Sequence, residues 1–143
     1  MTILRKCTLA AVVMIALLTS CQTNDPANFF TRDYTVTSSD WKMEKNDDAS
    51  GMYYYCEFKE PNLTQNVYDN GVMQAFLYTK NGNISPLPFN DYWINNSTGY
   101  MSTEQITCEF VPGYITFIVK ASDHDENFPP SYDEYDFRVR FTW

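Results

Sequence analysis

The chain has 143 residues, with 18 acidic and 10 basic side chains and a formal net charge of −8 at pH 7. A surface this acidic repels phosphate backbones, so nucleic-acid binding is not an expected function. Eleven Tyr, ten Phe and three Trp favour strands, because aromatic side chains pack well on a pleated surface.

The first 20 residues have the three parts of a secretory signal peptide. Arg5 and Lys6 form a short basic start, residues 8–18 carry no charge, and small residues precede Cys21. This order is typical of a cleaved export signal. The apolar run is also shorter than the roughly 20 residues that span a bilayer. We therefore expect a cleaved signal helix over residues 1–20.

Leu18-Thr19-Ser20-Cys21 resembles the lipobox of bacterial lipoproteins. The resemblance implies that Cys21 becomes the first residue of the mature chain and carries a diacylglyceryl group on sulfur, often with palmitate on the new amine. Two or more acyl chains anchor a protein stably to a membrane. The predicted location is the bacterial cell envelope, at the outer membrane, with the choice of leaflet open.

Cleavage would leave 123 residues, enough for one domain with a hydrophobic core. It would remove two basic and no acidic residues, so the formal net charge would fall from −8 to −10. Residues 21–31 are polar and include Pro26, which predicts a tether after the lipidated cysteine. Residues 32–143 are the predicted domain.

Within residues 32–143, short alternating segments are separated by turn residues. Asn81-Gly82 and Pro112-Gly113 predict tight turns. Pro86 restricts any strand that contains it to a sheet edge. Residues 90–100 are predicted to form a polar loop with aromatic side chains. We count seven or eight short strands, which predicts an all-β, immunoglobulin-like β-sandwich.

The order of these motifs also resembles small, uncharacterised lipoproteins of Bacteroidetes, over most of the mature chain. The segments that carry the resemblance are EFKEP (57–61), DNGVMQAFLY (69–78), LPF (87–89), CEFVPGYITFIV (108–119), ASD (121–123) and YDFRVRF (135–141). The resemblance implies an immunoglobulin-like sandwich at the cell envelope. It implies no activity.

Cys56 and Cys108 remain once Cys7 leaves with the signal and Cys21 takes lipid. Each is followed by Glu-Phe and stands at an inward position of a predicted strand. An exported chain passes through an oxidising compartment, so a disulfide between facing sheets is one interpretation. Two buried free thiols that act as small hydrophobes are the other. Both interpretations give these cysteines a structural role.

The acidic segment 123–134 is a candidate calcium site. Asp123, Asp125, Asn127 and Glu134 have the spacing of calcium ligands in an EF-hand loop. Phe128 stands where that loop requires Gly, and the flanking segments are predicted strands, which argues against an EF-hand. The alternatives are a looser calcium site and a solvated acidic loop, of which the second is favoured. No other cofactor is predicted.

Asn90, Asp91, Tyr92 and Trp93 form a candidate ligand-binding segment. Flat aromatic rings stack on sugars, and neighbouring amides and carboxylates bond sugar hydroxyls. The alternative is that Tyr92 and Trp93 cap the open end of the sandwich core. The exposure of the two rings distinguishes these interpretations.

The motifs of catalysis are missing from the sequence. His124 is the single histidine, and there is no nucleophile elbow, phosphate-binding loop or Cys-x-x-Cys. We therefore predict a non-catalytic, lipid-anchored module that binds a partner protein, which requires an apolar edge strand or patch. The alternative is a carbohydrate-binding lipoprotein, which requires exposed coplanar aromatic rings. An enzyme would need two carboxylates facing each other across a cleft.

Overall fold

The computed structural model describes residues 28–45, 51–94, 99–121 and 133–143. The predicted signal helix, Cys21 and most of the tether lie outside these ranges. None of the helices in the described ranges is long and apolar enough to cross a bilayer. The elements are β1 (Phe29–Thr37), β2 (Lys42–Lys45), β3 (Met52–Lys59), α1 (Gln65–Asn70), β4 (Val72–Tyr78), β5 (Ile84–Pro86), β6 (Phe89–Ile94), β7 (Met101–Val111), β8 (Tyr114–Ala121) and β9 (Glu134–Thr142).

The strands form two antiparallel sheets packed against each other. One sheet has the order β1-β9-β4-β5 and the other the order β2-β3-β8-β7-β6. This arrangement confirms the predicted all-β sandwich. The described chain has nine strands, more than the seven or eight predicted. The additional strand is β6, which pairs with β7 and occupies part of the predicted loop 90–100.

Alternating aromatic residues fill the space between the sheets. Phe117 of β8 and Phe137 of β9 lie at the centre, with ring centroids 3.9 Å apart and an interplanar angle of 8°. Tyr135 and Tyr34 extend this aromatic layer, each in ring contact with one of the two phenylalanines. The strand alternation that the sequence predicts for β9 is therefore the pattern that builds the core.

Tight turns set the register of the hairpins. Gly113 has φ of 86° and follows Pro112, and Val111 pairs with Tyr114 across this two-residue turn. Proline followed by a residue of positive φ is the sequence of a type II turn, as predicted. Asn81-Gly82 lies in the connection from β4 to β5, and Gly82 has φ of 75°.

Helix α1 closes one end of the sandwich. The Thr64 hydroxyl accepts a hydrogen bond from the Val67 backbone N–H and caps the helix, and the side chains of Leu63 and Val67 are buried. Gly71 ends the helix. A Cβ at this position would lie 2.5 Å from the Val67 carbonyl oxygen, so glycine is required by close packing. We call this end of the sandwich, with Trp143 and the β7–β8 turn, the helix end.

A candidate binding cleft between two open strand edges

On one side of the sandwich, each sheet has a strand that is only half covered by its neighbour. β5 pairs with residues 76–78 of β4 and leaves residues 72–74 paired only with β9. β6 pairs with residues 101–106 of β7 and leaves residues 107–111 paired only with β8. The two uncovered segments belong to opposite sheets, and the chain crosses between the sheets next to them at Leu87-Pro88.

A cleft of about 410 Å³ lies between these uncovered segments. Its lining includes Met73, Ala75, Leu87, Cys108 and Phe110 as apolar residues. Polar side chains also line it, namely Gln74, Gln105, Thr107, Glu109 and Lys120. The cleft therefore combines an apolar wall with a polar rim, which is the usual composition of a binding site.

Backbone groups of both edges point toward the cleft side. The carbonyl of Ala75 accepts a hydrogen bond from the Leu87 N–H (2.9 Å), so it faces away from β9. Backbone direction alternates along a strand, so the N–H and C=O of Met73 face the same way. Within the described ranges, no hydrogen bond occupies these groups of Met73 on that side.

The β7–β8 turn fixes the direction of the β7 backbone. Residues that flank a two-residue turn form a hydrogen-bonded pair, and here these are Val111 and Tyr114. The same alternation aims the N–H and C=O groups of Cys108 and Phe110 away from β8, toward the open side. No described segment of the chain bonds to them there.

The outer rim of the cleft carries one acidic and one basic side chain, Glu109 beside the uncovered segment and Lys120, which lies over the Tyr53 ring of β3. Glu109 is exposed on the outer face of β7 and lies in one cross-strand row with Thr116 of β8 and Glu57 of β3. Burial, with the Glu109 charge as a smaller cause, raises the pKa of the Cys108 thiol well above its usual range. Cys108 is therefore a neutral thiol in the cleft wall at neutral pH.

Cys56 and Cys108 are both free. Each is the cross-strand partner of the same residue, Phe117, from opposite sides of β8. Their Cα atoms are therefore two strand spacings apart, roughly 9–10 Å, which is beyond the approximately 7 Å limit for a disulfide. The predicted disulfide between facing sheets is wrong, because both cysteines lie in the same sheet. Both are free thiols, Cys56 buried and Cys108 half-buried.

The predicted ligand-binding segment lies on the edge strand β6. Tyr92 is 60% exposed, which contradicts the interpretation that it caps the core. Asn90 is exposed as well, and Asp91 is half-buried opposite Glu104. Trp93 pairs with Ser102, and its side chain is outside the described part of the structure. The segment therefore presents one exposed ring, while the predicted coplanar pair stays untested.

The predicted calcium ligands are only partly within the described ranges. Asp123, Asp125 and Asn127 fall outside them, and Glu134 begins β9. The described residues include no group of three or more His, Cys, Asp or Glu side chains placed to hold a metal ion. The calcium site stays a prediction.

Two buried carboxylates form tyrosine contacts away from the cleft. The hydroxyl of Tyr34 donates to Glu60 (2.7 Å) at the helix end, and that of Tyr135 donates to Glu104 (3.0 Å) toward the other end. Each pair joins an element of one sheet to the facing sheet or its end. Neither carboxylate lines the cleft, so both act as buried cross-links between the two layers.

Sequence reasoning missed the cleft. No local sequence signal indicates it, because the cleft lies where the 11-residue strand β7 extends beyond the six-residue strand β6. Comparison of the chain with protein-family models, curated protein sequences and solved structures gives no significant match.

Proposed function

We propose that the mature chain is a lipid-anchored, non-catalytic interaction module of the bacterial cell envelope that binds a partner protein at this cleft. The observation that carries the proposal is the pair of open strand edges that face one cleft. An open edge presents unpaired backbone donors and acceptors, which form a template for pairing with another chain.

Two of the other strand edges in the described ranges, those of β2 and β5, are protected. β2 has four residues, two of them Lys, and β5 has three residues and ends at Pro86. Short strands, lysine and proline are recognised ways to prevent edge pairing. Residues 107–111 of β7 have the sequence TCEFV, with no lysine or proline, so this segment has kept the ability to accept a strand.

The predicted lipid anchor would hold the cleft near the membrane. Six residues separate Cys21 from Asn28, and the seven Cα–Cα steps between them span at most about 25 Å when fully extended. Asn28 lies at the helix end, where its backbone N–H bonds to the Trp143 carbonyl (3.0 Å). Val72 of the cleft edge and Phe29 are both partners of Thr142. A partner bound at the cleft would therefore itself be a protein at the membrane surface.

Site-directed photo-cross-linking in the native envelope tests this proposal. A benzoylphenylalanine replaces Gln74, which is exposed and lines the cleft. The matched control replaces Thr31, which is exposed on β1 in the same sheet. We expect one protein, identified by mass spectrometry, to be cross-linked from position 74 and not from position 31. Absence of any cross-linked protein from position 74 would overturn the proposed function.

A carbohydrate-binding function is the second candidate, and the exposure of Tyr92 favours it. An exposed ring beside the Asn90 amide is suited to stack on a sugar and bond its hydroxyls. A glycan-array screen of the full chain tests this candidate, with Tyr92→Ala as the variant and Tyr68→Ala, another exposed tyrosine, as the control. Glycan binding that Tyr92→Ala removes and Tyr68→Ala retains would favour the carbohydrate function.

A further inference from the structure

We propose that the cleft accepts an extended segment of the partner protein as an added β strand beside residues 107–111, with a basic side chain opposite Glu109. This inference rests on the proposed function and specifies how the partner is recognised. It follows from the direction of the open backbone groups, the apolar wall of the cleft and the charge at its rim.

The space beside residues 107–111 continues the line of β6. Phe89 is the first residue of β6 and pairs with Ile106, and the preceding residues 87–88 turn away toward the other sheet. An added strand in this space would meet the open N–H and C=O groups of Cys108 and Phe110. Main-chain bonds of this kind supply affinity without requiring a particular sequence.

Alternate side chains of the added strand would enter the cleft. Residues opposite Cys108 and Phe110 would share their inward direction and would contact Met73 of the facing sheet and Leu87 of the crossover. The inward positions of the segment therefore require apolar side chains. This requirement gives the segment a period of two residues.

The outward position of the added strand would lie beside Glu109. Directly opposite side chains of neighbouring strands have Cβ atoms about 5 Å apart, and opposite charges at such positions attract. Glu57 of the same cross-strand row lies on the far side of Thr116, three strands from the added segment, so its charge is largely screened there. The outward position is therefore suited to Lys or Arg, so the segment alternates apolar and basic residues.

A second copy of this chain is a poor occupant. An antiparallel pairing of two copies of residues 107–111 about their centre would place Glu109 opposite its own equivalent, and like charges in that position repel. Each chain also has a net charge of −8. The Glu109 charge instead favours a basic side chain at this position of a partner segment.

Binding of defined peptides to the full chain in neutral detergent tests the inference. The probe is an eight-residue peptide of alternating valine and lysine. One matched peptide has glutamate in place of lysine, and another has proline at its two central valine positions. Fluorescence anisotropy measures binding, and hydrogen–deuterium exchange locates it. We expect the lysine peptide to slow exchange within residues 107–111, and the glutamate peptide to bind about tenfold or more weakly. The proline peptide should not bind.

Two charge reversals provide the matched comparison. Glu109→Lys and Glu57→Lys change the net charge equally, and both residues are exposed on the same outer face. We expect Glu109→Lys to weaken the lysine peptide about tenfold and to strengthen the glutamate peptide, while Glu57→Lys changes either by about twofold or less. Equal effects of the two variants would show nonspecific attraction and overturn the inference.

Failure of this inference differs from failure of the proposed function. If position 74 is cross-linked to a partner but the lysine peptide leaves exchange at residues 107–111 unchanged, strand addition is overturned and partner binding stands. Sedimentation of the full chain in detergent tests whether a second copy of the chain occupies the edge. A dimer whose formation slows exchange at residues 107–111 would assign the edge to a second copy and also overturn the inference.

Discussion

The strand edges on the two sides of the sandwich differ in whether an inward charged side chain lies at the edge. On the side of β1, which we call the closed side, Arg32 pairs with the inward-facing Val139, and its guanidinium lies 3.1 Å from the Glu60 carboxylate. On the side of β4 and β7, which we call the open side, the uncovered segments present Met73, Cys108 and Phe110 and no inward charge. In the described ranges, one edge of this small fold thus carries an exposed arginine paired with a buried carboxylate, while the other edge has unpaired backbone groups.

The protection on the closed side depends on complete pairing of a buried carboxylate. Glu60 is fully buried, and its oxygens accept hydrogen bonds from Tyr34 and from the backbone and side-chain nitrogens of Asn62. A buried charge is costly unless it is paired in this way. Another strand added beside β1 would compete with Arg32 for its position at the edge. The cluster therefore stabilises the fold and protects the edge together.

Removal of Glu60 should cause the largest loss of stability. Glu60→Ala leaves the Tyr34 hydroxyl, the Asn62 amide and the Arg32 charge without their shared acceptor, and we expect a loss of about 3 kcal/mol in the free energy of unfolding. Urea denaturation measures it. The control Glu57→Ala removes an exposed carboxylate and should cost less than about 0.5 kcal/mol. Equal losses for the two variants would show that the cluster does not hold the closed side.

Removal of the inward charge should convert the closed side into a second open edge. Arg32→Val retains an apolar contact with the core but deletes the charge that discourages pairing along the nine-residue strand β1. We expect concentration-dependent self-association in sedimentation velocity. Arg140→Val removes the same charge from an exposed position on the central strand β9 and should leave the association state unchanged. Association of both variants would attribute the effect to net charge.

The sandwich could be predicted because its strands and turns are specified by residues that are close together in sequence. The alternation of Tyr135, Phe137 and Val139 reports the buried face of β9 directly, and Pro112-Gly113 reports a turn by its backbone preferences. The strand β6 was missed for a physical reason. An edge strand buries only part of one face, so polar Asn90 and Asp91 are tolerated there and hide the alternation.

The cleft could not be predicted because it depends on pairing between distant segments. Nothing in residues 107–111 differs from a covered strand, and the segment is open only because Leu87 and Pro88 leave the sheet before they reach it. The disulfide interpretation failed in the same way. The alternation of the sequence predicts that both cysteines face inward. It does not show that Cys56 and Cys108 belong to the same sheet, because that depends on the order of the strands.

The two thiols, one on each side of β8, should make the stability of the fold depend on pH in the alkaline range. The pKa of the Cys56 thiol is raised to about 11 from an ordinary value of about 9. Burial is the main cause, and the Asp40 charge is a smaller one. The folded state thus holds this proton more tightly. Its contribution to stability is complete below pH about 9 and is lost as the pH rises to about 11.

Urea denaturation between pH 8 and 11 measures this dependence. We expect Cys56→Ala to reduce the alkaline loss by on the order of 1–2 kcal/mol. Cys108→Ala, on the open side, should reduce it as well, because burial also raises the pKa of that thiol. An unchanged pH dependence in Cys56→Ala would mean that water reaches this thiol in the folded state.

Removal of the ion pair on the outer face of β1 should have the smallest effect on stability. Asp33 accepts two hydrogen bonds from Arg138 of β9, at 2.7 and 2.9 Å, and these bonds are the main cause that lowers the pKa of Asp33 below its ordinary value of 3.8. The pair stabilises the protein above that value, and its contribution is lost as the pH falls through the lowered pKa. Because Asp33 is exposed and Arg138 is partly exposed, solvent screens the pair and its contribution is small.

We expect the urea midpoint of Asp33→Asn at pH 7 to lie close to that of the unaltered chain, and any difference to disappear in acid. Thr35→Val is the control, because it removes another outward polar contact of β1, the 2.6 Å hydrogen bond to Asp136, without changing charge. Asp33 and Arg32 are neighbours in sequence but lie on opposite faces of β1. A loss for Asp33→Asn as large as that for Glu60→Ala would mean that the outer face, and not the buried cluster, holds the closed edge in place.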